Sequence, residues 1–185
     1  MELSKNQIAV IKAVGKACDS KSVFIKQFVF SDGRDVFATN AYIALYEMEV
    51  GIPKGAYFPT LALPADANLD CAGFSADEFI GKLQKLVFNA KNEILSKRFA
   101  ISEKTKEIFD NESKKQFYRF VFRKTEDFPE SENFFSKRLV KKALAFVGSH
   151  FNIYQNEPDA PAVFERRDGK RIAIIMPYFK IKGKK

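Results

Sequence analysis

The sequence contains no tryptophan, one histidine and two cysteines among its 185 residues. Each scarcity excludes something. Cys18 and Cys71 lie far apart, so there is neither a disulfide framework nor a metal-ligand spacing. The lone histidine, His150, falls at an expected helix–strand junction, where a capping or surface role is the plain reading and a general base the strained one. Cys18 falls on the apolar side of an expected helix and reads as a core residue rather than a nucleophile. No apolar run approaches a membrane span, and the N-terminal residues carry no signal-peptide core, so no membrane is expected and a cytoplasmic location is. Phosphate-binding loops, dinucleotide fingerprints and nucleophile elbows are absent, so no cofactor is expected.

What is present is phenylalanine and positive charge. Of the aromatics, 20 are Phe and 6 are Tyr, and Phe alternating with polar residues points to half-buried strands. Lys and Arg number 31 against 23 acids, a formal net charge of +8. That balance favours phosphate-rich partners, although basic proteins without any anionic ligand are common.

Residues 5–18 read as a helix with Ser4 as N-cap. At about 100° per residue, Ile8, Ile11, Val14 and Cys18 share one side, and Lys5, Lys12 and Lys16 cluster on the other. Val23–Phe30 and Asp35–Thr39 flank Ser31-Asp32-Gly33-Arg34, a hairpin signal. Ile43–Val50 gives another strand, and residues 51–73, with three prolines, read as an edge strand and loops. Ser75-Ala76-Asp77-Glu78 opens a second helix running to Phe88, with Lys82 and Lys85 outside. Residues 93–101, 105–110 and 116–123 read as strands, after which Phe128-Pro129 breaks the pattern.

The third helix, Ser136–Val147, is the most polarised. Leu139, Val140, Ala143, Leu144, Phe146 and Val147 cover one side, and Lys137, Arg138, Lys141 and Lys142 the other, with no acid among them. Ser136 is placed to cap it, and Gly148 ends it. Strands at 150–156, 161–166 and 171–179 follow, the last two joined by Asp168-Gly169, and the Lys-rich tail 180–185 is expected to be mobile. Hairpin turns rather than crossover helices link the strands, so the fold class is α+β, with antiparallel sheets and three amphipathic helices. Residues 1–128 and 129–185 form two regions, or one continuous unit.

Three functional classes compete. Helices with only Lys and Arg outside can lie across phosphates without reading bases. The strand at 116–123, where Phe117, Tyr118, Phe120 and Phe122 interleave with Arg119 and Arg123, could stack single-stranded bases, though a buried sheet face is the simpler account. The acid groups Asp127/Glu130/Glu132 and Glu157/Asp159 would serve a metal-dependent nuclease, but read more simply as solvated loops.

A family resemblance favours the first class. Phe28–Tyr46 resembles the bacterial DNA polymerase sliding-clamp segment in which a hairpin leads into Ala-Thr-Asp-Gly-His-Arg-Leu-Ala; here Ala38-Thr39-Asn40-Ala41-Tyr42-Ile43-Ala44 stands in its place. Phe128-Pro129 resembles the clamp Phe-Pro-Asp-Tyr element, and Ile172–Phe179 the final Val-Met-Pro strand. The pieces occur in the family's order, in a chain about half as long as a three-domain clamp, as a reduced clamp of phage or mobile-element origin would be. The resemblance implies a processivity factor without covalent chemistry. Its partners would be duplex DNA, held by Lys5, Lys12, Lys16, Lys82, Lys85, Lys137, Arg138, Lys141 and Lys142, and a replication or repair protein; it could also form a homo-oligomer. It also implies a peptide pocket at Thr39, Ala41, Tyr42 and Ile43 with Ile174, Met176 and Pro177. Asn40-Ala41, Tyr42 and Ile43 replace Asp-Gly, His and Arg there.

Overall fold

A computed structural model describes residues 2–19, 21, 26–65, 78, 81, 82, 85, 106–110, 115–122, 131–155 and 160–178; for 106–110, 115–117, 119–122, 131 and 132 it describes the backbone alone. Helix α1 spans Lys5–Val14. Ser4 Oγ accepts the Gln7 amide at 3.2 Å while Gln7 Oε1 accepts the Ser4 amide at 2.9 Å, a capping box that satisfies two orphan donors. Val10, Ile11 and Val14 form its buried side.

The helix was expected to continue to residue 18; it tightens instead into a 3-10 turn at Gly15–Ala17. Gly15 is where another segment presses closest: a Cβ there would lie 2.6 Å from Pro59 Cβ. Only glycine admits that approach.

The strands are β1 (Val29–Ser31), β2 (Val36–Thr39), β3 (Ile43–Glu47), β4 (Gly55–Tyr57), β5 (Pro64–Ala65), β6 (Lys106–Asp110), β7 (Lys115–Phe122), β8 (Ser131–Ser136), β9 (Phe151–Tyr154), β10 (Ala162–Arg166) and β11 (Arg171–Ile175). All described pairings are antiparallel. Eight strands form one sheet in the order β5-β4-β1-β2-β3-β11-β10-β9, and β6-β7-β8 form a second. The β3–β11 pairing joins an early hairpin to the last one, with Ala44 opposite Ile174 and Ile43 opposite Ile175.

Several boundaries differ from the sequence pattern. Of the strand expected at Val23–Phe30, residues 23–25 lie outside the described residues, 26–28 are not strand, and β1 begins at Val29. The Lys26 carbonyl accepts the Asp19 amide at 2.6 Å, so the backbone at 26 is tied to the end of α1 rather than to the sheet. The turn at Asp32-Gly33 is as expected: Asp32 Oδ1 accepts the amides of Arg34 and Asp35 at 2.8 and 2.7 Å, and Gly33 takes φ 104°. Strand β8 was not expected. Ser131, Glu132, Asn133 and Ser136 dilute the apolar signal, and pairing along β7 supplies what local pattern does not.

Helix α2 spans Lys137–Val147. Ser136 stands at its N-cap position, but its side chain makes no capping bond, contrary to expectation. Gly148, at φ 86°, ends it and donates its amide to Leu144 O at 2.9 Å. These are the two helices with defined bounds among the described residues. Glu78, Gly81, Lys82 and Lys85 are helical, where the middle helix was expected; its apolar face and the strand expected at 93–101 lie outside the described residues.

The eight-stranded sheet buries apolar side chains on both faces. On one, Val29, Ala38, Leu45, Phe164 and Ile175 meet Val10, Ile11 and Val14 of α1 and Val140, Ala143, Phe146 and Val147 of α2. On the other, Phe30, Phe37, Tyr46, Val163 and Ile172 form a second cluster. The strict alternation of the two sets along each strand follows from the period-two geometry.

Candidate functional site

Both defined helices pack on the same face of the large sheet, which sets their polar sides to the same exterior. Lys5, Lys12 and Lys16 of the first helical segment are exposed, as are Arg138 and Lys141 of α2; Lys137 is half-buried. Lys142 differs from its neighbours. Its ammonium donates to the Lys16 carbonyl at 2.8 Å, tying α2 to the end of the first helix. Burial, followed by the nearby Arg138 guanidinium, holds the Lys142 pKa below its ordinary value, while Asp19 and Cys18 oppose the shift. Lys82 and Lys85 are exposed, but Lys82 Nζ lies 2.6 Å from Glu78 Oε1, so part of that charge is answered within its own turn. The hydrogen bond from Lys82 lowers the Glu78 carboxyl.

The β2–β3 turn is built on side-chain acceptors. Asn40 Oδ1 takes the amides of Tyr42 and Ile43, each at 3.0 Å, and Thr39 Oγ1 accepts Ala41 N at 3.1 Å while donating to Ile43 O at 3.0 Å. Ala41 is held at φ 73°, a left-handed conformation that suits glycine. The turn thrusts Tyr42 outward, 66% exposed. Met176 donates its amide to Tyr42 O at 3.0 Å, and Pro177, lacking an amide, cannot extend the ladder.

The structure thus brings the Ala-Thr turn and the Met-Pro segment side by side. Among the residues the resemblance implicates, Ala41, Tyr42 and Met176 are accessible. Thr39, Ile174 and Pro177 are buried. Ile43 belongs to the helix-side core, whereas Ile174 belongs to the opposite cluster, so those two do not share a face.

Sequence reasoning missed a neighbour of this pair. The β4–β5 turn closes with Phe58 N to Leu63 O at 2.9 Å and Ala62 N to Phe58 O at 2.8 Å. It leaves Phe58, Leu61 and Leu63 exposed. The apolar pair flanking Ala62 was the available signal, obscured by the surrounding prolines.

The competing chemistries draw on residues of which few side chains are described. Among the described residues no group of three His, Cys, Asp or Glu could hold a metal ion. Glu132 is described only as backbone in β8, and Asp127, Glu130, Glu157 and Asp159 lie outside the described residues, as do Cys71, Arg123 and Phe128-Pro129. Tyr118, one of the residues proposed for base stacking, packs half-buried against the helix-side core. His150 is exposed, with Nδ1 2.9 Å from Ser149 Oγ. Burial pushes the Cys18 thiol up to about 12, which keeps it protonated and poorly nucleophilic.

No family model matches the chain, and no curated protein does. Solved structures do. The DNA polymerase sliding clamp from Pseudomonas aeruginosa matches with a TM-score of 0.55 and 9% identity, over 95% of this chain and 65% of the clamp. The Helicobacter pylori beta clamp bound to DNA ligase peptide matches with a TM-score of 0.53 and 12% identity, over 95% and 64%. The C. crescentus beta sliding clamp gives a TM-score of 0.53 and 11% identity, over 96% and 64%. The chain spans under two thirds of the length of these clamps. Its fold is the sliding-clamp fold, with antiparallel sheets and helices as expected.

Proposed function

We propose that this chain is a clamp-like, DNA-bound scaffold that works as a polymerase processivity factor or its equivalent in the cytoplasm, alone or as a homo-oligomer. It contacts duplex DNA without reading sequence, offers an apolar site to a replication or repair protein, and performs no covalent step. The observation that carries this reading is the placement of both defined helices on one face of a clamp-type sheet, with Lys5, Lys12, Lys16, Arg138 and Lys141 exposed. Helices so arranged can lie across phosphates, which supply affinity and orientation but no sequence information. The partner reading rests on the exposed Tyr42 and Met176, joined at the backbone.

Fluorescence anisotropy with a labelled duplex tests the DNA contact. Five phosphate contacts give a log–log salt slope of about −4 to −5, equal for unrelated sequences. Replacing Lys137, Arg138 and Lys141 by Glu abolishes the binding while the circular dichroism spectrum stays native; a flat salt dependence, or unchanged binding by that variant, refutes it. Lys142 is left intact because its bond to Lys16 O supports the fold.

A further inference from the structure

The strand register places five exposed large apolar side chains at one end of the eight-stranded sheet. Val29 pairs with Tyr57, and Phe30 with Phe37, so the β4–β5 turn lies at the same end as the β2–β3 turn. Ile175 pairs with Ile43, which brings Met176 there too. Tyr42, Phe58, Leu61, Leu63 and Met176 are all the exposed large hydrophobics among the described residues. At 66%, 64% and 57% exposure, Tyr42, Leu61 and Leu63 are too open to be incomplete core. The turn that carries the leucines is firmly based. Pro59 abuts Gly15, and the Phe58 ring packs edge-on against Phe28 with centroids 5.4 Å apart.

Among the described residues of the segment that reaches this end, charge of one sign prevails. The first helical segment arrives here at Gly15, followed by Lys16, Asp19, Lys21 and Lys26. Asp19 Oδ1 accepts the Lys21 amide at 3.1 Å, and its own amide bonds to Lys26 O, so these residues are held together. Among the described residues of this segment, three lysines therefore stand against one acid. That excess of lysine disfavours a second copy of the same end and favours an acidic partner.

We propose that the β4–β5 turn is a second apolar contact for the client protein, extending the Tyr42–Met176 site, and that the segment it takes combines apolar side chains with carboxylates. The inference rests on the partner site proposed above. Phe58, Leu61 and Leu63 receive the apolar residues, and Lys16, Lys21 and Lys26 attract the acids.

The test uses the full chain and a fluorescein-labelled synthetic peptide alternating Leu and Phe with Asp, against a control with Lys in place of Asp. The Asp peptide binds and the Lys peptide does not. Leu61→Ser with Leu63→Ser weakens binding by about tenfold. A parallel variant, Tyr42→Ala with Met176→Ser, probes the first site. If only that variant weakens binding, the extension is overturned and the first site stands. If only the leucine variant does, the turn is the contact and the first site fails. Equal binding of the two peptides, or none, overturns the acidic, apolar occupant. So does sedimentation showing a dimer that the leucine variant abolishes, which would make a second copy the occupant.

Discussion

The two ends of the eight-stranded sheet solve opposite problems. At the end holding the β1–β2 and β10–β11 turns, charges are matched within the chain. Asp35 accepts from the Tyr46 hydroxyl and from Glu49 N at 2.9 Å. Glu49 faces Arg34 at 3.2 Å and Lys170 at 3.5 Å. Arg166 grips Asp168 through both carboxylate oxygens, at 2.8 and 2.6 Å, and its hydrogen bond holds the Asp168 carboxyl below its usual range. Arg171 lies 3.0 Å from Glu47 and over the Phe146 ring, 5.4 Å from its centroid. At the other end, the described turns leave Tyr42, Phe58, Leu61, Leu63 and Met176 exposed. One end secures the fold, and the other carries the apolar side chains of the proposed partner site.

Substitutions at the two ends should therefore separate stability from binding. The largest loss is expected from Asp35→Ala. It strands the buried Tyr46 hydroxyl and the Glu49 amide, and urea denaturation should show a loss of about 3 kcal/mol. Next is Arg171→Ala, which leaves Glu47 nearly enclosed without its cation. Since Arg171 is itself 30% exposed, the loss is discounted to about 2 kcal/mol by the same assay. A comparable loss from substitutions at the apolar end would erase the contrast.

Ala41→Gly works in the opposite direction. Relief of the left-handed alanine should stabilise the chain by up to about 1 kcal/mol, read as a higher melting temperature. The smallest effect is expected from Leu61→Ser with Leu63→Ser, within about 0.5 kcal/mol of the parent, because both side chains are already in water. A clearly larger destabilisation would show the leucines to be part of the core instead.

Much of the fold was legible because its signals are local. The Ser4 cap, the Asp32-Gly33 turn, the apolar side of α2 and its Gly148 stop each depend on residues within a few positions. Strand β8 was not legible, since Phe134-Phe135 becomes a strand only through its pairing with β7. The early end of α1 was hidden for the same reason: Pro59, far along the sequence, occupies the space beside Gly15. At the candidate site, the Ala-Thr and Met-Pro segments could be named from the resemblance, but side-chain direction could not. Ile43 faces the helices because strand alternation places it there, and Lys142 bonds to a carbonyl because a second helix ends within its reach. The β4–β5 turn went unnoticed because exposure of Leu61 and Leu63 is a property of the register, not of their own pattern.

The β3–β11 pairing has a bearing on how the molecule is made. Strands drawn from opposite parts of the sequence must meet before Tyr42 and Met176 become neighbours, and closing so long a loop carries an entropic cost that slows the step. An immature chain with a well-formed first hairpin still lacks the Tyr42–Met176 contact. Completion of the fold and assembly of the proposed partner site are thus a single event.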